Sequence, residues 1–242
     1  MTNEPKIGDG LEALNRAINA REIARLIGEL ARWTDPETFR LLPVWFPATA
    51  RKLPSFNAKW TKQLTNRQNP KFEGNTNANM TLARALGTPT KKRPNWTCCH
   101  IWGNDDDTFA SGFSEVNDPR YYSCPANMVL LPTPLKAFTD SVPQMKTAMR
   151  LAAFHLYGFL PEGRTLPNVE EAEDWLPTRW DRGEVLGIRP INDGIRYSAQ
   201  RRIDIIARDL GESPGEYPRK QVENVVRYWS EKVPEFKLGG VL

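Results

Sequence analysis

A chain of 242 residues that is 40% hydrophobic and 26% charged has the make-up of a folded globular protein with one large or two small domains, which excludes an intrinsically disordered chain. Its net charge of +4 permits a polyanionic partner without requiring one, and three cysteines, an odd number, argue against a disulfide framework and fit a reducing, cytoplasmic setting. No apolar run nears the roughly 20 residues that a membrane-spanning helix needs, and the polar N-terminal stretch does not read as a signal peptide, so no membrane partner is expected.

In chain order, residues 11–32 carry an apolar stripe at helical spacing through Leu11, Leu14, Ile18, Ile23, Leu26, Ile27 and Leu30. Asp35-Pro36 offers an N-cap followed by proline at the first helical position. The helix it opens is ended by the proline-broken stretch LLPVWFPATARKLP. Residues 51–72 are basic, with Arg51, Lys52, Lys59, Lys62, Arg67 and Lys71 and no acid, and they interleave Phe56, Trp60 and Phe72. A helix is expected over 77–86, closed by Gly87, and then a basic turn with Lys91, Lys92 and Arg93.

Residues 96–102 read as a strand, 103–123 as a long polar loop, and 127–132, NMVLLP, as a second strand. Helices are expected over 134–140, 142–157, 198–210 and 218–232, the last three from apolar faces such as Met145, Ala148, Met149 and Ala152. The sum is α+β: one hairpin-and-helix core at 94–163 between an N-terminal helical region, 1–93, and a C-terminal one, 164–242.

The chemistry centres on the stretch WTCCHIWG, Trp96 to Gly103, which holds His100, one of only two histidines and, from the residues alone, a buried core ring, a metal ligand or a catalytic base. Hydrolysis of a phosphodiester needs a base to activate water, a cation to take up charge on the phosphate, and a group that aims the base. A hairpin with a helix across it can supply all three: a His at the end of the first strand, an Asn in the connection, and ligands beside the His and on the helix.

Cys99-His100-Ile101-Trp102, Arg120-Tyr121-Tyr122, Ala126-Asn127-Met128-Val129-Leu130-Leu131-Pro132, Phe138-Thr139-Asp140-Ser141 and the run from His155 to Pro161 follow one another in order. Together they resemble the HNH nucleases, the ββα-metal superfamily, in a bacterial branch written roughly CHIW…ANLVLLP…LTDH. The resemblance covers about residues 94–163. It implies a metal-dependent DNA endonuclease with His100 as general base and Asn127 as the residue that orients it, in a setting such as restriction or anti-phage defence. It also implies a divalent ion, Mg²⁺ foremost with Mn²⁺ or Zn²⁺ as alternatives.

The chain departs from that pattern at the metal. Cys99 stands where many members have an acid or His, Lys136 where many have a His or Asn, and Ser141 where the branch has His. Asp140 is then the helix-borne carboxylate of choice, unless it is an ordinary helix N-cap before SVPQ, with Cys99 the adjacent soft donor. The acidic run Asp105, Asp106 and Asp107 is either a substitute hard ligand or a solvated loop. DNA would be held by Arg51, Lys52, Lys59, Trp60, Lys62, Arg67, Lys91, Lys92 and Arg93, cations for phosphates and a ring for bases, unless this is a solvated basic face. Two other readings stay open: a degenerate member that binds nucleic acid or protein without cutting, and an interaction module holding structural zinc through Cys98, Cys99, Cys124 and His100. A homodimer or a partner protein is likewise left open.

Overall fold

The computed structural model describes residues 10–17, 19–50, 75–103, 114–168, 170, 187–211 and 215–238. The first expected helix is divided into α1, Gly10–Ala17, and α2, Ala20–Leu30. The break falls at Asn19, whose side-chain oxygen accepts from Arg21 N–H at 3.1 Å and so caps α2. β1, Trp33–Thr34, leads to α3, Pro36–Leu41, where Asp35 caps the backbone N–H of Glu37 at 2.8 Å as its sequence predicts. Residues 42–50 are buried although they belong to no regular element. Their backbone is satisfied from a distance: Ser123 Oγ accepts from Phe46 N–H at 2.8 Å, and Val116 C=O accepts from Ala50 N–H at 2.8 Å.

α4, Thr76–Ala85, ends where Gly87 takes a left-handed φ of 62°. β2, Trp96–His100, pairs antiparallel with β3, Met128–Pro132, in the register Trp96↔Pro132, Cys98↔Leu130 and His100↔Met128. Between them, Gly103 has φ +99°, and a Cβ there would lie 2.8 Å from Val116 N. This close approach lets the Ser114 hydroxyl donate to the Gly103 carbonyl. α5, Thr133–Ser141, starts at the residue after β3 and packs on both strands. α6, Pro143–Tyr157, follows after Val142 and ends at Gly158, again left-handed.

β4, Ile188–Arg189, pairs parallel with β1. This second sheet was not expected, because two residues carry no alternation from which to read a strand. α7, Asp193–Gly211, begins earlier than its apolar stripe, and α8, Arg219–Lys232, completes the fold. One apolar cluster runs through all of this, from Ala24 and Trp33 through Leu131 and Met149 to Trp229 and Phe236. Buried Arg202 ties α7 into it, with Nε bonded to the Trp45 carbonyl and the guanidinium 4.3 Å over the Phe46 ring. The mixed helix and strand content agrees with the α+β expectation. Among the described residues no helix is long and apolar enough to cross a membrane.

Asp35 joins two parts of the chain, since its second oxygen accepts from Ile191 N–H at 3.1 Å. Asp35→Ala therefore removes a helix cap and a long-range bond together. It should lower stability by about 2 kcal/mol in urea unfolding, with the m-value unchanged.

Candidate active site

The end of β2, the turn before β3, the last turn of α5 and the second turn of α6 converge on His100. The His100 ring is 1% exposed, lies 5.5 Å from the Tyr122 ring at 22°, and has Nε2 2.9 Å from the Tyr122 carbonyl. A carbonyl oxygen only accepts, so Nε2 carries the proton and the lone pair of the neutral ring sits on Nδ1. Burial holds the imidazole down to about 4. Lys146 and Lys136 push the same way, opposed by the Tyr122 carbonyl and Asp140. His100 is thus a neutral ring of fixed tautomer at physiological pH.

Asn127 closes a 3₁₀ turn, Pro125–Asn127, and is fully buried. Its side-chain oxygen accepts from Trp102 N–H at 2.8 Å. Its NH₂ donates to the Trp102 carbonyl at 3.4 Å and to the Tyr121 carbonyl at 3.3 Å, while its backbone carbonyl accepts from Ile101 N–H at 2.9 Å. Asn127 was expected to brace the imidazole itself. It grips instead the peptides just beyond His100 and the 121 carbonyl next to Tyr122, and the ring is aimed by Tyr122. The Arg120-Tyr121-Tyr122 piece was part of the sequence resemblance, but nothing in its residue types says that a backbone carbonyl would act.

Asp140 lies in the last turn of α5, one oxygen paired with Lys136 and the other 3.9 Å from Lys146 Nζ. Lys146, on α6 and 1% exposed, donates to the His100 carbonyl at 2.9 Å. Sequence reasoning missed it, because a lysine on an apolar helix face reads as solvated. One turn on, the Arg150 guanidinium lies 4.4 Å over the Trp102 ring. Cys99 Sγ is 3.1 Å from Thr139 Oγ1 and 3.6 Å from the His100 carbonyl. The one hydroxyl hydrogen of Thr139 goes to the Lys136 carbonyl at 2.8 Å, so the single S–H hydrogen of Cys99 is left to donate to Thr139 Oγ1 or to the His100 carbonyl.

As arranged, these groups do not fit a divalent ion. Among the described residues the one carboxylate here, Asp140, already holds two ammonium groups, and the Cys99 thiol is used as a donor where ligation needs the thiolate. Among the described residues no group of three or more His, Cys, Asp and Glu is placed to hold a metal. Cys98 and Cys124 are buried and free of disulfides, and burial drives both thiols upward, Cys124 to about 12.

For the nucleic-acid set, Lys91 and Lys92 are exposed on a 3₁₀ turn, Thr90–Lys92. Arg93 does not share that exposure. It is 5% exposed and donates to the Asn79 carbonyl of α4 at 3.0 Å, because the turn directs it inward. Arg51, Lys52, Lys59, Trp60, Lys62 and Arg67, like Asp105, Asp106 and Asp107, lie outside the described residues. Comparison with known proteins returns no match: no family model, no curated protein and no solved structure matches the chain.

The depressed His100 has a signature in stability. Between its ordinary value of 6.5 and about 4, the unfolded chain binds a proton that the folded chain does not. Stability contributed by the neutral ring is present above that window and is lost as pH falls through it, by about 3 kcal/mol in all. Urea midpoints measured from pH 7 to pH 4 should fall accordingly in wild type and more shallowly in His100→Gln.

Proposed function

We propose that this chain is an HNH-type endonuclease that hydrolyses phosphodiester bonds in DNA, with His100 as its general base. The observation that carries the reading is the imidazole itself: neutral, with Nε2–H spent on the Tyr122 carbonyl and the Nδ1 lone pair accepting from none of the described residues. The antiparallel hairpin with α5 packed across it, and Asn127 fastening the strand ends, are what a ββα nuclease of this kind needs around its base. In that reading Nδ1 takes a proton from water, the water oxygen bonds to phosphorus, and the bond to the leaving oxygen breaks. A role in restriction or anti-phage defence suits such an activity.

A second reading has its own support. Asp140 is occupied by lysines and the His100 ring is shut from solvent, as suits a degenerate member that binds nucleic acid or protein without cutting.

Supercoiled plasmid incubated with the protein separates the two. Mg²⁺, Mn²⁺, Ni²⁺, Zn²⁺ and excess chelator form the arms, beside His100→Ala. Wild type should nick or linearise the plasmid. His100→Ala should lose about 10²–10⁴ in rate while its circular dichroism spectrum stays that of wild type. Binding without cleavage in every arm selects the second reading. Equal cleavage by wild type and His100→Ala removes His100 as the base.

A further inference from the structure

We propose that Lys136 and Lys146 hold the place where a ββα-metal nuclease has its cation, so that this site neutralises a phosphodiester with the chain's own charge. The proposal rests on the reading of His100 as a base and concerns what stands opposite it.

Among the described residues, the carboxylate and the thiol that a divalent ion would use beside His100 are both engaged by hydrogen. The two oxygens of Asp140 face Lys136 and Lys146, and Cys99 presents S–H. Buried ammonium groups persist only with partners, and Lys146 has two, the His100 carbonyl at 2.9 Å and Asp140 at 3.9 Å. This ammonium therefore sits between the strand end that bears the base and the helix end that bears the carboxylate, as a bridging metal would. A divalent ion entering the same space would have to expel two tethered like charges.

The division of labour follows from the partners. The Lys146 ammonium is spent on the His100 carbonyl and on Asp140 and acts through them, so it is a positioning residue. The side chains of Lys136 and Asp140 are 28% and 36% exposed, so the phosphate meets Lys136. Among the described residues here, two ammonium groups against one carboxylate, with a neutral imidazole, leave one positive charge, which matches the single negative charge of a phosphodiester.

The step balances without a metal. Nδ1 of His100 takes a proton from water as the water oxygen bonds to phosphorus. The bond from phosphorus to the leaving oxygen breaks, and that oxygen takes a proton from the Lys136 ammonium. Exchange with solvent then moves one proton off His100 and returns one to Lys136.

Two measurements test this. In the first, plasmid cleavage is followed in excess chelator. Wild type should still cut, Lys136→Gln should lose about 10²-fold, and Lys136→Arg should recover part of it. Lys146→Met removes an ammonium that disfavours protonation of His100, so its acid limb should move to higher pH, and Lys146→Arg, which keeps the charge, should leave the limb in place. In the second, Mn²⁺ alone is titrated calorimetrically into wild type, Asp140→Asn and Lys136→Gln. Wild type should give no more heat than Asp140→Asn, and Lys136→Gln, with its carboxylate freed, should give more.

Cleavage by wild type only with a divalent ion, together with Mn²⁺ binding abolished by Asp140→Asn, overturns the lysine proposal and leaves His100 as the base. Cleavage in chelator that Lys136→Gln does not alter overturns it too. Absence of cleavage in every arm overturns both the proposal and the reading beneath it.

Discussion

The geometry around His100 depends on one side chain, the carboxamide of Asn127. A hairpin with a long connection has no tight turn to fix its register or the aim of its last residues. Here the register is closed at the open end, where Asn127 takes the peptide N–H of Trp102 on one side and the carbonyls of Trp102 and Tyr121 on the other. An amide has both a donor and an acceptor, so it can complete a strand pair as a peptide group would. The 121–122 stretch is held in the same grip, and its next carbonyl fixes the His100 tautomer. Backbone closure and the state of the imidazole are therefore parts of one hydrogen-bonded unit.

The electrostatics are arranged around keeping that imidazole uncharged. Desolvation alone favours the neutral ring, and two lysines reinforce it. The usual companion of a catalytic histidine is a carboxylate that favours the charged form. Asp140 acts in that sense, but weakly, because it is shared between Lys136 and Lys146. The site is thus tuned toward a weak base of constant protonation state, set in positive surroundings that suit an anionic ligand better than a cationic one.

The parts of this that the sequence shows are those with local signals. The two strands of the hairpin are short apolar runs bounded by Pro and Asn, and their pairing follows from the helix that must pack against them. The Asp35 cap, the Gly87 stop and the amphipathic faces of α6, α7 and α8 are likewise local, and the structure agrees with them. His100 is legible as the singular residue in an apolar strand. Lys146 is not, because its partners are a backbone carbonyl 46 residues away and an aspartate on another helix. Arg93 was read with its neighbours as an exposed cation, yet one peptide turn separates outward Lys92 from inward Arg93, and charge composition is blind to direction. The β1–β4 pair is a product of tertiary packing alone.

Gly103 and Ser114 form a clasp, the hydroxyl of one on the carbonyl of the other, with the glycine backbone pressed against residues 114–116. The chain between them leaves and returns through a fixed gate three residues from His100. Because the ends of the connection are fixed by this clasp, the hairpin register is set by the described residues 100–103 and 114–132. The clasp thereby anchors both ends of the connection to the hairpin that carries His100.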